Sequence, residues 1–125
     1  MAENNGAYKV SLTAGTDTAG GVLSLANPEG ATLIITRLIL DVITAATAAC
    51  TLDAGVGSGA TTKYDTLIDG LDVNAAAGTF DNVENQGTNG KAAVKWTSGN
   101  YLTISTASGA SAGLVGSAYI EYIRA

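Results

Sequence analysis

The sequence predicts an all-β protein, a β-sandwich of about eight short strands whose natural arrangement is a jelly roll. Three observations carry that prediction. Apolar and polar residues alternate over short runs. Turn residues, many of them drawn from sixteen glycines, separate those runs. No segment makes a convincing helix, because Gly70 interrupts the one stretch that mixes acids with aliphatics before it becomes long.

Taken in order, residues 8–13 alternate, with Tyr8, Val10 and Leu12 on one side and Lys9, Ser11 and Thr13 on the other, as in a half-buried strand. Val22 to Leu25 reads as a second strand, closed by Asn27-Pro28-Glu29-Gly30, where proline fixes one dihedral and glycine permits a positive φ. Residues 31–44 form the longest run. Alternation there puts Ile34, Thr36, Leu38, Leu40 and Val42 on one face and Leu33, Ile35, Arg37, Ile39, Asp41 and Ile43 on the other, so both faces are mostly apolar. That pattern fits a central strand, a strand whose outer face is covered, or one crossing between environments with a bulge near Arg37. Residues 47–55 give a fourth strand with Cys50, Leu52 and Ala54 inward, followed by Gly55-Val56-Gly57-Ser58-Gly59, read as a loop. That loop lacks the lysine and hydroxyl ending of a phosphate loop.

Residues 64–73 suggest an irregular strand or a single helical turn, and residues 74–90 a long excursion over the surface. Residues 91–97 and 101–106 look like a hairpin across Ser98-Gly99-Asn100, with Val94, Trp96, Leu102 and Ile104 as core. The last strand, residues 114–124, alternates Ala118, Ile120 and Tyr122 with Tyr119, Glu121 and Ile123. The domain organisation expected is a flexible N-terminal arm over 1–7 and one sandwich domain over 8–125.

The composition excludes more than it assigns. With no histidine, one cysteine and 14% charged residues, the chain lacks most side chains used in acid–base or nucleophilic catalysis, and no enzymatic activity, cofactor or metal site is expected. A net charge of −5 with scattered lysines and arginines argues against nucleic-acid binding. The longest apolar run is broken by Arg37 and Asp41, so no spanning helix and no membrane partner are expected. Cys50 reads as a buried small hydrophobe, and the N-terminus shows no secretory pattern, which suggests synthesis in a cytoplasm. The acids Asp65, Asp69, Asp72, Asp81 and Glu84 cluster in sequence without the spacing of a calcium loop. Trp96, Tyr64 and Tyr101 would serve as a sugar platform only if they were not needed in the core. Tyr119 and Tyr122 point to opposite faces of the last strand, and one of them is expected at a partner surface.

Four stretches, Leu52-Asp53-Ala54-Gly55-Val56-Gly57, residues 64–73 (YDTLIDGLDV), Ala77-Gly78-Thr79-Phe80-Asp81-Asn82 and Gly87-Thr88-Asn89-Gly90-Lys91, resemble small virion proteins of tailed bacteriophages. The likeness continues through the segment Trp96 to Tyr101 and the ending at residues 112–122, covering roughly residues 50 to 125. It implies a decoration or cement protein on the capsid surface of a virion, bound to major capsid protein and assembled with itself as a trimer. The partner-binding residues expected on that reading are Ala2, Glu3, Asn4 and Asn5 of the arm, with Tyr119 and Tyr122. A tail, baseplate or fibre component and a carbohydrate-binding jelly-roll module are the alternatives.

Overall fold

The computed structural model of the protein describes residues 4–125. Nine strands form two antiparallel sheets packed as a sandwich: β1 Asn5–Ser11, β2 Leu23–Ala26, β3 Leu33–Thr44, β4 Cys50–Gly57, β5 Ile68–Asp72, β6 Gly78–Asp81, β7 Val94–Trp96, β8 Tyr101–Gly109 and β9 Val115–Arg124. The first sheet has the order β1-β9-β3-β6, with β7 also on β3, and the second the order β2-β8-β4-β5. Four sets of pairs are nested: β1 with β9, β2 with β8, β3 with β6 and β7, and β4 with β5. The chain is thus a long folded-back ribbon rolled into two sheets, which is the jelly roll the sequence predicts.

The puzzle of the two apolar faces on residues 31–44 resolves at a bulge. Register along β3 and β9 shifts between Ile35 and Arg37, leaving Thr36 as the extra residue. Before it, Leu33 and Ile35 are buried; after it, Leu38, Leu40 and Val42 are. One inserted residue changes which parity faces the core. The interior is completed by Leu52, Ala54, Ile68, Leu71, Trp96, Leu102, Ile104, Ala118 and Ile120.

Four expectations need correction. Of the residues expected in an N-terminal arm over 1–7, Asn5, Gly6 and Ala7 pair with Ile123, Tyr122 and Glu121 within β1, and residues 1–3 lie outside the described residues. Val56 and Gly57 belong to β4 rather than to a loop: a Cβ on Gly57 would lie 2.2 Å from the Tyr64 ring, so glycine here admits an aromatic ring against the strand. The excursion over residues 74–90 contains β6, a strand too short to register as a pattern, whose Phe80 lies opposite Leu40. Residues 91–106 are not a hairpin. β7 and β8 lie in different sheets, and the turn closed by the Asn100 N–H on the Thr97 carbonyl, 3.0 Å, carries the chain across the sandwich with Gly99 at φ 82°. Trp96 and Leu102 flank that turn, both fully buried; the crossing lets each enter the core from its own sheet.

Since Leu40 is fully enclosed, Leu40→Ala is expected to destabilise the fold by about 2–5 kcal/mol. Ile43→Ala, on the opposite parity and 63% exposed, should change stability by no more than about 0.5 kcal/mol. Urea unfolding monitored through the buried Trp96 measures both.

Candidate interaction surface

Opposite residues of an antiparallel pair share a face, so the strand registers define the outer surface of the first sheet row by row. Asn5, Ile123, Ile34 and Lys95 form one row; Ala7, Glu121 and Arg37 the next. Lys9, Tyr119, Ile39 and Asp81 follow, then Ser11, Ser117, Asp41 and Thr79. Thr44 and Val115 close the far end, with Ile43 beside them as the extra residue of a second bulge. Apolar pairs therefore alternate with charged or polar pairs along the β3–β9 seam. Val115 is 51% and Ile123 41% exposed, while Ile34, Ile39 and Tyr119 are half-buried by their neighbours. Lys9 stands over the Tyr119 ring with Nζ 5.6 Å from its centre, and Arg37 lies 3.8 Å from Asp81.

The outer face of the second sheet is closed by loops. Thr103 donates to the Thr62 carbonyl at 2.8 Å, Ser24 to the Ala60 carbonyl at 2.7 Å, and the Gly20 N–H reaches Ser105 Oγ at 2.8 Å. Asp17 accepts from the Ser111 N–H, the Ser111 hydroxyl and the Thr106 hydroxyl, and these bonds hold its carboxyl below the usual range. Asp53, only 7% exposed, accepts from the Gly70 N–H at 2.8 Å and lies opposite Asp69; burial first, then the Asp69 and Asp65 charges, pushes its pKa up.

Of the residues the sequence nominated for partner binding, Tyr119 alone of the two tyrosines faces outward. Tyr122 is 4% exposed and is an internal residue: its hydroxyl donates to Glu29 at 2.6 Å, because its parity on β9 points it between the sheets. Arg124 grips the same carboxylate through Nε, 2.7 Å, and Nη2, and reaches the Asn5 carbonyl through Nη1 at 2.9 Å. The Arg124 hydrogen bonds, then that of Tyr122, lower the Glu29 pKa to about 2. Asn4 and Asn5 thereby join a clamp between β1, β9 and the β2–β3 turn. Ala2 and Glu3 lie outside the described residues.

Four of the five clustered acids, Asp65, Asp69, Asp72 and Asp81, are occupied as hydrogen-bond acceptors in the loops. Asp72 accepts from the Asn74 and Ala75 N–H groups, Asp81 from those of Val83 and Glu84, and Asp65 and Asp69 both accept from Asn89. Asp69, Asp72, Phe80 and Asn85 border a shallow depression, yet among the described residues no group of three or more potential ligands is placed to hold a metal ion. Trp96 is fully buried and donates to the Asn100 carbonyl at 3.1 Å, so it forms no platform with Tyr64 and Tyr101. Burial also raises the Cys50 thiol, with Asp17 and Asp72 adding to the effect.

The apolar positions Ile34, Ile39, Ile43, Val115 and Ile123 were not singled out by sequence as a surface. Their signal was the second apolar face of residues 31–44, which is visible as a surface only once the bulge has assigned the parities.

No family model and no curated protein matches the chain. Among solved structures, a chain in the capsid of Ralstonia phage GP4 has a like fold, with a TM-score of 0.62 at 19% identity, covering 100% of this chain and 87% of that one. At that identity the likeness is one of fold.

Because the folded Glu29 pKa, about 2, is below its ordinary 4.5, this carboxylate stabilises the fold fully above about pH 4.5 and progressively less as the pH falls toward 2. Glu29→Gln is expected to remove that part of the acid dependence, read from urea midpoints between roughly pH 6 and pH 3. Asp53 has the opposite sign: its raised folded pKa means that ionisation opposes folding, so Asp53→Asn, which keeps an acceptor for Gly70, should raise the midpoint at neutral pH. The gain should shrink as acid protonates the parent carboxyl.

Proposed function

We propose that this chain is a non-enzymatic structural component of a bacteriophage virion, a decoration protein that binds the assembled shell of major capsid protein from outside. The observation that carries the reading is the full-length likeness of fold to a phage capsid chain. Three features support it. The chain offers no histidine and one buried cysteine for chemistry. Asp72 and Asp81 are spent on capping turns. One sheet carries a partly apolar outer face suited to contact.

A decoration protein of this kind acts by linkage. It favours the assembled lattice by binding it more tightly than free subunits, so shell stability rises with its free concentration. Self-assembly adds avidity when copies reach several shell subunits together. The phage-protein resemblance implies a trimer; the sheet face favours a two-fold instead. Contact with the shell falls on this reading to the N-terminal residues and to the acidic stretches around Asp65, Asp72 and Glu84, which suit a basic partner.

Co-sedimentation with purified expanded capsids should show saturable binding that weakens with added salt, and capsids carrying the protein should disassemble at a higher temperature than bare ones. Electron cryomicroscopy of the parent virion should place a jelly roll outside the shell. Absence of the protein from the particle, or density confined to the tail, would defeat the proposal.

A further inference from the structure

We propose that the outer face of the first sheet is the surface on which a second copy of this chain docks, about a two-fold axis running along the seam between β9 and β3. The inference deepens the homo-oligomer part of the reading above and rests on that part alone. It stands on the order of residues across each row. A two-fold axis parallel to the strands keeps the rows and reverses their lateral order, so each residue meets the one at the mirrored place in its own row. Tyr119 then meets Ile39 of the second copy and Ile123 meets Ile34, while Val115 meets Thr44 beside the bulged Ile43. Glu121 meets Arg37, and at the margins Lys9 meets Asp81. Ile34, Ile39, Tyr119 and Ile123 each find an apolar partner, and each of these charges its opposite.

An axis in the same plane perpendicular to the strands would instead set Lys9 on Lys9 and Asp81 on Asp81 when it passes through their row, and Glu121 on Glu121 and Arg37 on Arg37 when it passes through the next. The self-complementarity therefore selects one symmetry. Aligned sheets pack about 10 Å apart at about 30°, which concentrates apolar contact on the two strands flanking the axis and leaves the outer positions to long charged side chains.

Charge also says which partner this face suits. Lys9, Arg37 and Lys95 balance Asp41, Asp81 and Glu121, so the face is neutral although the whole chain carries −5. Two acidic chains repel through most of their surfaces and least through this one. A strongly basic partner would be drawn to the acidic loops instead.

Sedimentation velocity and native mass spectrometry of the full chain decide the matter. A concentration-dependent dimer is expected; a monomer at all concentrations, or a trimer, overturns the proposal. Ile43→Lys combined with Val115→Lys should weaken the dimer by about tenfold or more, with the folded-state spectrum retained. The strictest arm mixes two variants. Arg37→Glu alone and Glu121→Arg alone should each fail to pair with themselves, since each sets like charges face to face, whereas an equimolar mixture should form a heterodimer. Loss of pairing without rescue in the mixture, or dimers indifferent to all these changes, refutes the interface. Capsid co-sedimentation of the monomeric variants separates this outcome from failure of the virion reading.

Discussion

The seam between β3 and β9 is the constraint on which the rest of the structure depends. These are the two longest strands, they lie side by side in the middle of the first sheet, and every other strand of that sheet attaches to one of them. The extra residue at Thr36 divides the seam into two halves of opposite parity. On one half Leu33 and Ile35 enter the core beside Trp96 and Tyr122; on the other Leu38, Leu40 and Val42 enter it opposite Ile120, Ala118 and Phe80. Without the shift, a strictly alternating β3 would carry Arg37 and Asp41 inward along with Leu33 and Ile35, leaving two charges to be desolvated.

The two sheets treat their outer faces differently, and the difference follows from composition. On the central strand β8, Thr103 and Ser105 point outward, and their hydroxyls take part in hydrogen bonds that hold loops down over the sheet. On β3 and β9 the corresponding positions are mostly isoleucine, tyrosine and valine interleaved with charges, with Ser117 and Thr44 as the hydroxyls. A covered face and an open face thus arise from small hydroxyls on one sheet and large aliphatics on the other.

Much of this was legible in the sequence. Alternation located β1, β3, β4, β8 and β9, and the inward set Leu52, Ala54, Trp96, Leu102, Ile104, Ala118 and Ile120 is the set found in the core. What escaped depended on distance along the chain. Nothing local reveals that Glu29 and Arg124 meet, or that residues 94–96 pair with β3 instead of with their neighbours across a tight turn. Short strands such as β6 have too few residues for a period to appear, and β4 hides its last residues behind glycines chosen for the Tyr64 ring. The outward face of the seam was present in the sequence as an excess of isoleucine, but only a resolved register turns an excess into a surface.

The nesting of strand pairs has a kinetic meaning. Closing β4 on β5 needs only a short loop, and each closure shortens the chain that the next pair must bridge, so pairing can proceed outward through β3 with β6 and β7, then β2 with β8, to β1 with β9. The entropy of each step is then set by the residual loop rather than by the full separation in sequence. Read in reverse, the order makes β1 the strand that can peel away without breaking any inner pair. The last segment to be fastened, and the first to loosen, is the one whose end is tied down by Arg124.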